Sequence, residues 1–96
     1  MNNNFDISGF VDVLTTEKVK SDLVHNVKLR RKEAGLTQRA LADKAMVSYA
    51  SIRRFELTGE ISFSALLRIA EVLDALGDFD KLFGKKTKVE FEWGER

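Results

Sequence analysis

The residues best equipped for chemistry are Tyr49, Arg53 and Arg54, in the stretch YASIRRFE that follows Ser48. At about 100° per helical position, Tyr49, Ala50, Arg53 and Arg54 gather on one edge, while Ile52 and Phe55 fall on the other with Ser51 between them. One edge asks for an apolar core. The other offers two guanidinium forks and a phenol to an anionic partner, and arginine forks fit both guanine edges and phosphates. A short helix with this edge suits the major groove of double-stranded DNA. Tyr49 and Ala50, near its start, would meet base edges or a thymine methyl, and Arg53 and Arg54 would hydrogen-bond bases or phosphates. Two arginines alone equally suit a solvated surface, so their setting matters.

That setting is a series of helices. Leu41, Ala42 and Ala45 form one apolar stripe, which predicts a helix over Gln38 to Ala45 with Thr37 as its N-cap. Ser48 then caps the YASIRRFE helix across a tight turn. Upstream, a long helix from Glu17 to Ala34 starts at Thr15 and Thr16 and stops at Gly35. Its stripe is Val19, Leu23, Val27, Arg31 and Ala34, in which Arg31 is the odd member. Downstream, LTGEIS makes a loop around Gly59. Ser62 caps a fourth helix over Phe63 to Leu76, and Gly77 ends it. Asp78 is expected to cap a last turn or two over Phe79 to Phe83, whose Phe79, Leu82 and Phe83 suit a core lid or a dimer seam. In the tail, Val89, Phe91 and Trp93 alternate with Lys88, Glu90 and Glu92, a strand pattern. A lone strand needs a partner: either the region Phe10 to Leu14, or the same strand of a second copy, where Lys88 would oppose Glu90 and Lys86 would oppose Glu92. Trp93 reads as packing rather than base stacking. Residues 1–15 form an extension whose Phe5, Ile7, Phe10, Val11, Val13 and Leu14 fit a short helix after Ser8 or a strand through Phe10 to Leu14.

RRKEAGLTQ (Arg30 to Gln38), the small Ala42, Val47 with Ser48, Ile52, Arg54 to Glu56 and LLRIAEVL (Leu66 to Leu73) together resemble the lambda repressor and Cro superfamily, also called the Xre family. The resemblance covers roughly Leu23 to Phe83. It implies an all-α, five-helix, lambda-repressor-like helix-turn-helix domain over residues 16–84, to which the alternating tail, residues 85–96, adds a short C-terminal β-strand. It also implies an ion pair between Arg31 and Glu56 that ties the first helix to the third, making Arg31 scaffold rather than a DNA contact. Gln38 would touch a phosphate and brace the recognition helix, with Arg39 and Ser48 as neighbouring phosphate contacts and Lys44 a weaker one. The family usually has glycine where this chain has Met46, because the turn takes positive φ. The region of Phe79, Leu82 and Phe83 often supplies the dimer contact in such relatives. RRFELTGEISFSALLRIAEVL with its tail is further similar to HipB-type antitoxins, which repress their own operon and bind a kinase-like toxin.

Composition bounds the rest. A chain of 96 residues with 44% apolar content has room for one compact domain and its core. The absence of cysteine removes disulfides and thiolate metal sites. No metal or cofactor site is expected, and no apolar run long enough to span a membrane occurs, so a cytoplasmic protein is the default. The net charge of +1 hides a segregation: Lys28 to Arg54 carry +6, whereas Glu56 to Asp80 carry −5. Such a dipolar domain can orient its basic side toward a polyanion. An enzyme is not expected. The single histidine, His25, lies apart from other candidate catalytic groups, and no phosphate-cradling glycine loop or nucleophile elbow is present. The reading is therefore a homodimeric, sequence-specific DNA-binding regulator, a repressor in its simplest form and an antitoxin in a narrower one. The alternative is a protein-interaction module of the same fold that does not bind DNA.

Overall fold

A computed structural model of the chain describes residues 13–84. Among them run five helices: α1 (Thr16–Glu33), α2 (Gln38–Ala45), α3 (Tyr49–Thr58), α4 (Phe63–Val72) and α5 (Leu76–Asp80). The alternating tail with Val89, Phe91 and Trp93, and the extension through Phe10, lie outside the described residues.

Hydroxyl caps set where the first four helices begin. Thr15, Thr37, Ser48 and Ser62 each accept the backbone N–H three residues on, at 3.0, 3.0, 3.0 and 3.1 Å. Each satisfies one of the N–H groups that a helix start leaves without a partner. Three helix ends share one closure. Leu36 N–H donates to Arg31 C=O, Val47 to Ala42, and Ala75 to Ala70, each across a residue of positive φ. Those residues are Gly35, Met46 and Asp74. This six-residue closure satisfies the orphan carbonyls of the last turn and reverses the chain.

The third closure corrects the reading of α4. That helix stops at Val72 rather than Leu76, because Asp74 takes φ 60° and turns the chain three residues before Gly77. Aspartate, like asparagine, tolerates the left-handed region better than most side chains. Gly77 accordingly lies inside α5, which spans Leu76–Asp80 rather than Phe79 to Phe83. Asp78 sits in its first turn, and α5 has no side-chain cap.

The core sits where α2, α3 and α4 meet. Leu41, Ile52, Phe55 and Ile69 are its largest fully buried side chains. Ala42, Ala45 and Ala70 are buried among them, and their small size lets the three helices approach closely. Helix α1 lies across this unit with Leu23 and Val27 half-buried and Arg31 buried. Its expected stripe is incomplete, since Val19 and Ala34 at its two ends are exposed. Beside Val19 opens an apolar groove of about 530 Å³ between α1, α4 and α5, lined by residues including Leu23, Leu66, Leu73, Phe79 and Leu82.

Candidate nucleic-acid interface

Helix α3 presents two edges of opposite character. Ile52, Phe55 and Glu56 are buried, whereas Ala50, Arg53 and Arg54 are exposed. Tyr49 is half-buried and packs against the rim of the core. The inward edge fixes the helix by burial, and the outward one stands free at the protein surface.

The angle of α3 is further held by a buried polar network. Arg31 Nε donates to Glu56 Oε2 at 2.8 Å and its Nη2 to Glu56 Oε1 at 3.1 Å, a two-pronged pair with side chains only 10% and 4% exposed. The remaining reach of the guanidinium is used too, since Nη1 donates to the Leu36 carbonyl at 2.9 Å. Gln38 Nε2 donates to Glu56 Oε1 at 2.9 Å. The Glu56 carboxylate thus ties α3 to α1 and α2, and Arg31 adds the α1–α2 turn. Burial alone would raise the Glu56 pKa, but the hydrogen bonds from Arg31 and Gln38, with the charges of Arg31 and Lys28, outweigh it and hold the carboxyl below its ordinary value.

The turn between α2 and α3 closes with Met46 at φ 59° and its side chain 80% exposed. Arg68 of α4 reaches the Met46 carbonyl with Nη1 at 3.4 Å. Ser48 spends its one O–H donor within the chain: it donates to Ser51 Oγ at 2.8 Å and accepts from Ser51 N–H. Gln38 is half-buried in its bond to Glu56, while Arg39 and Lys44 are exposed along α2. The Arg39 guanidinium lies over the Tyr49 ring, 3.9 Å from its centroid, and the Arg53 guanidinium is 5.9 Å from the same centroid.

The structure therefore brings Arg39, Tyr49 and Arg53 together, with Ala50 and Arg54 on the same exposed edge of α3. Phe79, Leu82 and Phe83 belong elsewhere. Phe79 is half-buried, meets the Phe63 ring edge-on at a centroid distance of 6.4 Å, and lines the groove with Leu82. Leu82 and Phe83 are exposed. His25 is exposed on α1. Sequence reasoning missed two braces: Arg68 on the turn, and Arg30, whose Nη1 donates to the Leu73 carbonyl at 2.8 Å where α4 ends. Each pairs with a backbone oxygen, which no residue type announces. It also missed the Arg39–Tyr49 stack. The only signal was that both residues open adjacent short helices, at the second position of α2 and the first of α3.

No group of metal-binding side chains occurs among the described residues, and none of their helices is long and apolar enough to cross a membrane. A family model described as a helix-turn-helix matches residues 27–77, just over half of the chain. No curated protein and no solved structure matches it.

Proposed function

Since the chain belongs to the helix-turn-helix family of DNA-binding regulators, we propose that it acts as a sequence-specific, twofold-dimeric repressor whose α3 enters the major groove. One observation carries this reading. Burial of Ile52, Phe55 and Glu56 turns Arg53, Arg54 and Ala50 outward on a helix whose angle the Arg31–Glu56–Gln38 network fixes. Arg53 and Arg54 then reach bases or phosphates, Ala50 meets a base edge or thymine methyl, and Arg39 with Gln38 sets the register on the backbone, the Ser48 hydroxyl being committed to Ser51. In a twofold dimer the two α3 helices would lie about 34 Å apart, in successive major grooves.

The groove between α1, α4 and α5 supports the dimer. α2 and α3 contribute no residue to it, so a second copy seated there leaves the basic edge free. Leu82, which lines it, and the next residue, Phe83, are exposed apolar side chains of the kind that mark an interface. A kinase-like toxin is the partner in the antitoxin form of this reading. The support for it is the resemblance of the stretch from Arg53 to Leu73, and its test is co-purification with a kinase-like product encoded by the neighbouring gene.

Selection from a random duplex library tests the main reading. Arg53→Ala with Arg54→Ala should abolish sequence-selective binding while leaving the melting temperature within about 2 °C, because neither side chain is buried. A large stability loss would make both guanidiniums scaffold. Absence of duplex binding even at low salt would leave a protein-interaction module of the same fold.

A further inference from the structure

We infer that Tyr49 is a positioning residue rather than a base reader: its ring is the platform that holds the Arg39 guanidinium flat and ready to clamp a DNA phosphate. The inference rests on the DNA-binding reading and refines it.

The geometry is specific. At 3.9 Å from the centroid, the Arg39 guanidinium is in direct contact with the ring face. Arg53, at 5.9 Å, sits at the outer limit of cation–π attraction. The ring itself packs against the rim of the core, so it cannot follow a mobile side chain. The platform is rigid and the cation comes to it. Among the described residues, neither Arg39 nor Arg53 forms an ion pair with a carboxylate. Two exposed cations are thus gathered by an aromatic face instead of being neutralised by acids.

Stacking uses the π face of a guanidinium and leaves its in-plane N–H donors unspent. Those donors match two oxygens of one phosphate. Because the arginine is ordered on folding, less rotamer freedom is lost on binding, which is how a preorganised group gains affinity without a new contact. The same stack covers the ring face that a base would need. Arg53, held more loosely, remains free to reach base edges. Tyr49 thereby assigns the two arginines different tasks, register for Arg39 and readout for Arg53.

The test uses the full chain and a random-sequence duplex long enough for two helical turns, titrated by fluorescence anisotropy across a salt series. Arg39→Gln should lower the slope of log affinity against log salt by about one, the signature of one lost phosphate contact. Tyr49→Leu removes no charge, so the slope should stay. Affinity should nevertheless fall about three- to fivefold at each salt, the size of an exposed cation–π contact. Leucine keeps the apolar packing, and the melting curve checks it. Tyr49→Phe should restore affinity, since it keeps the ring and loses only the hydroxyl. The double variant Tyr49→Leu with Arg39→Gln should be no weaker than Arg39→Gln alone. In the free wild-type protein, the Arg39 side-chain protons should be shifted upfield by the ring, and Tyr49→Leu should return them to random-coil positions.

Several results overturn the inference while duplex binding survives: Tyr49→Phe as weak as Tyr49→Leu, single losses that multiply in the double variant, or unshifted Arg39 protons. If the wild-type chain binds no duplex at low salt although those protons are shifted, the DNA-binding reading itself fails and the inference goes with it.

Discussion

The two ends of α1 solve opposite problems. Near its C-terminus Arg31 is buried, and three of its nitrogens have named acceptors on Glu56 and Leu36. Near its N-terminus Val19 is 52% exposed over an apolar groove. The first region is closed and directional, built from hydrogen bonds that tolerate one geometry. The second is open and non-directional, built from side chains that accept any apolar neighbour. The difference teaches where precision is needed. A recognition helix must meet base edges at a fixed angle, so its support is polar. If the groove takes a second copy, as proposed, that surface needs only area.

Removing Glu56 should produce the largest effect, because it breaks the closed region. Glu56→Ala leaves Arg31 buried without its carboxylate and should cost about 3–5 kcal/mol in urea unfolding. Replacing both partners, Arg31→Met with Glu56→Leu, should recover most of that loss, since paired apolar replacements are often neutral. Selective DNA binding should not recover with it, if the network serves orientation more than stability. A double variant that is stable and binds normally would erase the distinction between the two ends of α1. The same carboxyl sets an acid limit. Its pKa is lowered in the folded state, so its contribution is fully present above the ordinary value of 4.5 and is lost as pH falls through the lower folded value. Wild-type stability should therefore decline more steeply on acidification than that of the Glu56→Gln variant, whose remaining decline comes from other carboxyls such as Glu60.

The open region is tested by Leu82→Glu. Leu82 lines the groove yet is 56% exposed, so the monomer should change by no more than about 0.5 kcal/mol. Self-association measured by sedimentation should weaken at least about tenfold, because a carboxylate would be desolvated at the seam. A large loss in the monomer would mean that the groove is already core. Unchanged association would place the second copy elsewhere.

The contrast also governs what the sequence could tell. The bounds of α2 were legible to the residue, because Thr37 announces its cap, Ser48 announces the cap of the next helix, and the Leu41–Ala42–Ala45 stripe has one reading. The inward edge of α3 was legible for the same reason: Ile52 and Phe55 have no other place to go. The end of α4 was not. Gly77 is the conventional stop, but buried Leu73 and the Ala75 to Ala70 hydrogen bond close the helix at Asp74, a residue with no such signature. The exposed Val19 was equally hidden, since a hydrophobic stripe says which face is apolar and not whether anything covers it. At the interface, the residue types Arg39, Tyr49 and Arg53 were evident, but that one ring gathers both guanidiniums depends on how α2 meets α3.

Met46 offers the smallest and sharpest probe. It sits at φ 59° in the turn that joins α2 to α3, 80% exposed, so its side chain contributes strain and almost no packing. Glycine removes that strain, which is worth about 1–2 kcal/mol, while its freedom in the unfolded chain takes back about 0.4–1 kcal/mol. Met46→Gly should therefore raise stability by up to about 1.5 kcal/mol. Affinity for DNA should stay within about twofold, because the turn is also held by the Val47 to Ala42 bond and by Arg68 on the Met46 carbonyl, and α3 by Glu56. If the added freedom of glycine instead loosens binding while the fold grows more stable, then the turn residue itself sets the angle of α3. The closed region would then extend beyond the Arg31–Glu56 network to the strained backbone of Met46.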